Sequence, residues 1–264
     1  MITHPFEYTR AASLSEALGL LAEGAKPLAG GMSLVPMMKL RLAAPEHLVD
    51  LAKIAELRYI REDEDVIRIG AMSTHHDIET STVLRRACSV LSKTAAKIGD
   101  VQIRNSGTIG GSVAHNDPAA DYPAALMALD ALVTMASVRG ERAVPFSEFV
   151  LDSFTTALEP DEIIREITVP ADGPRTGTAY FKMAQAASGF ALAGVAVRLR
   201  RDEGGRLTMV RVGVTGVGPF AYRAAAVEAV LEGTAGGPSD VAAAASHAAE
   251  GVDASSDMHA GAEY

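Results

Sequence analysis

The sequence predicts an α+β protein in two units, and three observations carry that prediction. In the C-terminal part, β runs precede two alanine-rich helical runs, the order of an α+β layer arrangement. A proline- and glycine-bearing stretch, Ala171-Asp172-Gly173-Pro174, offers a linker between the parts. Two glycine pairs, Gly30-Gly31 and Gly110-Gly111, stand beside small hydroxyl residues in the N-terminal part. Glycine permits positive φ and close approach to a ligand, and successive bare N–H groups form an anion-binding concavity. Two such segments can hold a pyrophosphate-bearing ligand from both sides.

The elements follow in chain order. Ser13-Leu14-Ser15-Glu16 is a capping box that opens a helix to about Ala22, and Gly24 stops it. A short strand over 27–29 feeds the first glycine segment. Residues 34–42, with Met37, Met38, Leu40 and Leu42, form a turn of helix or irregular packing. Strands are predicted over 47–51 and 66–71, the second followed by the polar loop Ser73-Thr74-His75-His76-Asp77. Leu84, Ala87, Cys88, Leu91, Ala95 and Ile98 recur at helical spacing, which predicts one helix over 83–98 with Cys88 as a buried thiol. The second glycine segment comes next. A helix over 121–130 has Pro123 in its first turn, and strands follow over 131–138 and 142–146.

The strand-rich second part opens near Asp161 with a strand over 162–169, stopped by Pro170. Strands over 178–184, 190–200 and 207–215 come next, the last two joined by the Asp202-Glu203-Gly204-Gly205 turn. Helices over 221–232 and 240–250 complete the chain. The linker places the domains at 1–172 and 173–264.

Composition narrows the function classes. Of 264 residues, 48% are hydrophobic and 22% charged, as in ordinary globular proteins. A formal net charge of -9 argues against a general nucleic-acid binder. The single cysteine, Cys88, forms no intrachain disulfide, which fits a reducing cytoplasm. A [2Fe–2S] cluster takes about four thiolates, so this chain cannot hold one alone. Met1 to Arg10 has no apolar core of a signal peptide, and no uninterrupted apolar run reaches the roughly 20 residues of a membrane span. The sequence contains no G-x-G-x-x-G, no Walker A loop and no G-x-S-x-G elbow.

Two longer motifs narrow the field further. They are Ala29-Gly30-Gly31-Met32-Ser33-Leu34 with Met38-Lys39-Leu40-Arg41, and Ile103-Arg104-Asn105-Ser106-Gly107-Thr108-Ile109-Gly110-Gly111-Ser112 with Asp117-Pro118-Ala119-Ala120-Asp121. Together they resemble the FAD-binding medium subunit of the molybdenum hydroxylases, of the carbon monoxide dehydrogenase and xanthine dehydrogenase types. The likeness runs from about Phe6 to Tyr264. It implies an α+β FAD domain of the vanillyl-alcohol-oxidase (PCMH) type in two subdomains, of about 1–55 and 56–172, then a smaller α+β domain with a three-stranded antiparallel sheet and helices. It implies FAD as cofactor, no catalytic acid or base in this chain, and no metal site. Partners would be a large subunit with the molybdenum cofactor and a [2Fe–2S] small subunit, in a dimer of heterotrimers, with an external electron acceptor and no nucleic acid.

The resemblance also assigns roles. Ala29, Gly30, Gly31, Met32 and Ser33 match the loop around the FAD pyrophosphate, with Lys26 adding charge beside it. Thr108, Gly110, Gly111 and Ser112 match the segment lining the other side. Asp121 matches an acidic residue that binds FAD hydroxyls, Ile164 an apolar residue near the adenine or flavin, and Lys182 a lysine beside the cofactor. Met32 stands where many members carry a polar residue, Ile98 near an aromatic position of the xanthine dehydrogenases, and the chain ends at Tyr264, where members continue with another helix.

Taken singly, these residues have plainer readings. Gly30-Gly31 is a turn, Asp121 a helix N-cap, Lys182 a solvated lysine and Ile164 a core residue. His75-His76 is a solvated loop, and Arg104 meets phosphate, a partner or an acidic neighbour. At the level of function, the alternatives are a self-contained FAD oxidase and a non-catalytic assembly module.

Overall fold

Three strands, Glu7–Arg10, His47–Asp50 and Lys26–Leu28, pair in parallel with His47–Asp50 in the middle. The computed structural model that shows them describes residues 2–264, so Met1, part of the stretch read for a signal peptide, lies outside the described residues. The helix Leu14–Ala22 crosses between the first two of these strands in sequence. Its start differs from the expected capping box in one bond, since Glu16 reaches the residue before the N-cap. Ser13 Oγ accepts from the Glu16 N–H at 3.2 Å, and the Glu16 carboxylate reaches back to the Ala12 N–H at 2.7 Å. Leu14, Ala17, Leu18 and Leu21 form the buried stripe and meet Val49, Leu51 and Ile54.

A five-stranded antiparallel sheet follows, in the order Ile60–Asp63, Val66–Gly70, Ile163–Pro170, Leu132–Ser137, Gly140–Pro145. Its central strand, Ile163–Pro170, corrects the expectation that a second unit opens near Asp161. This strand lies between strands of the N-terminal part and completes their sheet. Ile67, Ile69, Ile164 and Ile167 pack against Leu84, Leu91, Ile109 and Leu126 of the covering helices.

One of those helices departs from expectation. The segment read as a single helix is two, Thr82–Ala87 and Ser89–Ala95, broken at Cys88 with φ −162° and ψ 66°. The Ala87 carbonyl takes the Asp172 N–H at 2.6 Å instead of a helical donor. The linker therefore docks into the break. Cys88 itself is fully buried, as its place on the apolar stripe predicts, and burial pushes its thiol up to about 12.

The C-terminal sheet runs Thr176–Ala184, Ala191–Arg201, Leu207–Thr215, Tyr222–Arg223, all antiparallel. It has four strands where three were expected. The fourth comes from the start of the helix read over 221–232. Tyr222 and Arg223 pair with Val214 and Gly213, and the helix begins only at Ala225–Leu231. A second helix, Pro238–Ala245, packs with it over Leu207, Val210, Val212 and Val214.

The two parts share the helix Tyr122–Ala128, whose seven residues are all buried. The C-terminal sheet lies so close to it that a Cβ on Gly213 would stand 2.0 Å from the Ala124 carbonyl oxygen. Thr215 Oγ1 lies 2.8 Å from the carbonyls of both Pro118 and Ala120, and the Gly216 N–H donates to Pro118 O at 2.9 Å. The Asp117–Asp121 segment is therefore held by the C-terminal sheet.

Candidate cofactor site

The two glycine segments meet in space. Ser106 Oγ donates to the Gly30 carbonyl at 2.8 Å. A Cβ on Gly30 would stand 2.1 Å from Ser106 O and 2.7 Å from Gly107 Cα. A Cβ on Gly111 would reach Thr108 Oγ1 at 2.9 Å and the Ala29 methyl at 3.6 Å. Gly30 is thus glycine because one backbone presses on another. Positive φ is needed only at Gly31, at 74°.

The first segment fits the pyrophosphate reading. Residues Ala29 to Ser33 are half-exposed or exposed and lead from the strand Lys26–Leu28 into the helix Leu34–Lys39. Among the described residues, the backbone N–H groups of Gly30, Gly31, Met32 and Ser33 find no acceptor in the chain. Four successive free donors on a turned backbone suit an anion. Met32 turns its side chain outward, at 43% exposure, and Lys26 is exposed on the adjoining edge strand.

The second segment differs from the expected loop of bare amides. It forms two short helices, Val101–Ser106 and Ile109–His115. Thr108 caps the second by accepting the Gly111 N–H at 3.1 Å. Ile109 donates to Ser73 O, Gly110 to Ala71 O and Ser112 to Thr108 O. These amides are spent on the fold. The glycines here allow contact: a Cβ on Gly110 would lie 2.5 Å from the Ala71 methyl. This segment forms a wall beside the free amides of the first, with Gly111 and Ser112 half-exposed along it.

Asp121 and Lys182 come together although 61 residues separate them. Lys182 Nζ donates to Asp121 Oδ2 and to the Lys97 carbonyl, both at 2.8 Å. Tyr180 donates its hydroxyl to Asp121 Oδ1. The side chains of Lys182 and Asp121 are 4% and 5% exposed. Burial pushes the Asp121 carboxyl up, opposed by the hydrogen bonds from Lys182 and Tyr180. Two plain readings are corrected here. Asp121 makes no side-chain cap on its helix, and Lys182 is a buried ion-pair partner. Tyr180 was missed, yet the alternation of a strand puts residues 180 and 182 on one face. Ile164 is a core residue, 5% exposed, paired with Met135.

Arg104 resolves to its acidic neighbour. Its guanidinium binds Glu79 at 2.9 Å and the carbonyls of Ile98 and Gly99. His75, read as part of a solvated loop, is 4% exposed in the first turn of the helix His75–Thr80. That helix is opened by a capping box between Thr74 and Asp77, a signal present in the sequence.

Comparisons with known proteins agree with this architecture. The sequence profile of the FAD binding domain in molybdopterin dehydrogenase matches residues 4–172, and that of the CO dehydrogenase flavoprotein C-terminal domain matches 178–264. The carbon monoxide dehydrogenase medium chain of Hydrogenophaga pseudoflava is 40% identical over 267 residues, covering 100% of this chain and 93% of that one. The 6-hydroxypseudooxynicotine dehydrogenase complex subunit alpha of Paenarthrobacter nicotinovorans is 39% identical, covering 98% of this chain and 88% of that one. Among solved structures, a Hydrogenophaga pseudoflava carbon monoxide dehydrogenase superposes with a TM-score of 0.96 at 42% identity, over 100% of this chain and 93% of the other. Quinoline 2-oxidoreductase of Pseudomonas putida 86 gives 0.94 at 32%, over 100% and 92%. With both parts of the chain matched and a cradle of free amides at the first glycine pair, the chain belongs to the FAD-binding medium subunits of the molybdenum hydroxylases, oxidoreductase subunits whose cofactor is FAD.

Proposed function

We propose that this chain carries electrons from the [2Fe–2S] clusters of a partner subunit to an external acceptor, through FAD held where the two glycine segments meet. The observation that carries the reading is the run of free amides from Gly30 to Ser33 beside the wall of Thr108 to Ser112. FAD supplies one- and two-electron chemistry when bound. The chain's own residues bind and orient it. The amides of Gly30, Gly31, Met32 and Ser33 receive the diphosphate, with Lys26 on the adjoining strand adding positive charge. Thr108, Gly110, Gly111 and Ser112 bound the other side. Lys182 sets a buried positive charge next to Asp121, with Ile164 packed behind the wall. Asp121 already accepts two hydrogen bonds from the protein, so a cofactor hydroxyl adds to them at the carboxylate's remaining lone pairs.

One cysteine is too few for an iron–sulfur cluster, so the clusters belong to another chain. We place substrate oxidation on a large subunit with the molybdenum cofactor, and the assembly, a dimer of heterotrimers, in the cytoplasm. No helix among the described residues is long and apolar enough to cross a membrane. The test is flavin absorbance of the purified chain after FAD addition and desalting, followed by dithionite and then by co-purification with candidate partners. Retained bands that bleach with dithionite, and reduction by substrate only when the partners are present, are expected. Substrate-dependent bleaching of the isolated chain would make it a self-contained oxidase and overturn the reading.

A further inference from the structure

His75 is a buried polar side chain that no role assigned so far uses. Its backbone N–H donates to the Gly107 carbonyl at 2.9 Å. Its ring lies against the same residue, since a Cβ on Gly107 would stand 2.5 Å from His75 Nε2 and 2.9 Å from Cδ2. Gly107 is therefore gripped twice by one residue, drawn in by the amide and stopped by the ring edge. The ring is itself oriented. His75 Nδ1 lies 3.2 Å from the Tyr122 hydroxyl, and the two rings are tilted by 53° with centroids 5.3 Å apart. Tyr122 is fully buried, and its hydroxyl has this one protein partner among the described residues. An apolar side chain at position 75 would leave that hydroxyl unpaired.

What Gly107 does gives the grip its meaning. Ser106 and Gly107 are the backbone on which Gly30 rests, and Thr108 begins the wall of the cofactor site. On the other side, Tyr122 follows Asp121, which holds Tyr180 and Lys182. A continuous set of contacts thus runs from Gly30 through Gly107, His75 and Tyr122 to the ion pair. We propose that His75 is a positioning residue for the FAD cradle: its ring, oriented by Tyr122, fixes the height of Gly107 and so the meeting of the two glycine segments. This rests on the FAD reading of the site.

Arg104 faces the imidazole from the helix Val101–Ser106, with Glu79 of the His75 helix paired to it. Burial and that nearby guanidinium keep the ring neutral, its pKa down to about 4. The Tyr122 hydroxyl can donate to a neutral Nδ1 or accept from it, so this contact orients the ring in either tautomer.

The test uses the full chain and FAD, with affinity read by flavin fluorescence, unfolding of the FAD-free chain as a second measure, and the imidazole observed by 15N NMR. Tyr122→Phe is expected to weaken FAD binding several-fold and to shift the His75 Nδ1 signal, as that nitrogen loses its hydrogen-bond partner. His75→Ala is expected to weaken FAD binding about tenfold, the scale of one buried hydrogen-bonding group. Gly107→Ala should cost less FAD affinity in the His75→Ala background than in the wild type, because the obstructing ring edge is gone. Folded Tyr122→Phe and His75→Ala chains that bind FAD within about twofold of wild type, or additive effects of Gly107→Ala and His75→Ala, would overturn the proposal. Failure of the wild-type chain to bind FAD would overturn the underlying reading instead.

Discussion

Gly30→Ala is the sharpest perturbation of the site. The added methyl carbon would stand 2.1 Å from Ser106 O, and 2.7 Å from both Ser106 C and Gly107 Cα. All three are backbone atoms, so no rotamer change relieves the clash. The two glycine segments must separate by about an ångström, in an interior that is close-packed. Overpacking of this kind costs about 1–3 kcal/mol. The separation also breaks the bond from Ser106 Oγ to Gly30 O, worth about 1 kcal/mol. Together they come to roughly 2–4 kcal/mol, divided between the stability of the FAD-free chain and its affinity for FAD. Chemical unfolding without FAD, beside fluorescence titration with it, measures both parts. Gly111→Ala is the internal control for stability. Its methyl meets Thr108 Oγ1 at 2.9 Å and little else, so it disturbs one helix cap worth about 1 kcal/mol. A Gly30→Ala chain that unfolds like wild type and binds FAD equally well would refute the claim that glycine is here for backbone contact. So would a Gly111→Ala chain that loses more stability than Gly30→Ala.

The remaining predictions follow from the same geometry. Gly111→Asp places a carboxylate on the wall facing the cradle and should abolish FAD retention after desalting; unchanged flavin content would remove Gly111 from the site. Asp121→Ala strands the buried Lys182 ammonium and should lower stability by about 3–5 kcal/mol, whereas Asp121→Leu combined with Lys182→Met should cost less than the sum of the single changes. Stability should also depend on pH through His75, whose pKa is pushed down to about 4 from 6.5. The unfolded chain binds a proton there as pH falls below about 6.5 while the native chain does not until about 4, so this contribution is full above that window and is lost through it. Between pH 7 and pH 5 the loss should be about 2 kcal/mol in urea unfolding, and His75→Asn should lack it. Met32→Thr should change FAD affinity by no more than about threefold, because the Met32 side chain points outward while its amide serves the cradle.

The sequence made the periodic parts of the fold legible. The strands over 178–184, 190–200 and 207–215 lie close to Thr176–Ala184, Ala191–Arg201 and Leu207–Thr215, because alternation and the Gly204-Gly205 turn are local signals. The helix start at Ser13, capped by its hydroxyl, was legible for the same reason. The capping box between Thr74 and Asp77 is equally local, although the paired histidines inside it give the segment a polar look. The break at Cys88 was hidden, because it is made by the Asp172 amide arriving from the linker. The short fourth strand at Tyr222–Arg223 was hidden likewise, since its alanine-rich surroundings favour helix and only its pairing with Leu207–Thr215 overrides that preference.

The site shows the same division between local and long-range causes. The glycine pairs were visible, but the work each glycine does was not. Sequence suggests that a Gly-Gly pair turns a loop. The structure uses positive φ at Gly31 alone and spends Gly30, Gly107 and Gly110 on contacts with Ser106, His75 and Ala71. Which amides stay free then follows from what the neighbours take. Ile109, Gly110, Gly111 and Ser112 donate into the fold, while Gly30 to Ser33 do not. The free amide donors that looked duplicated therefore sit on one side, and the other side fixes their arrangement. The buried pair of Asp121 and Lys182 extends that logic across the two parts of the chain. A carboxylate that looked like a cap and a lysine that looked solvated become one object only once the Thr176–Ala184 strand is laid beside the helix Tyr122–Ala128. On the proposed reading, the cofactor site depends on the C-terminal sheet being docked, because the sheet carries Tyr180 and Lys182 and also holds Pro118 and Ala120 through Thr215.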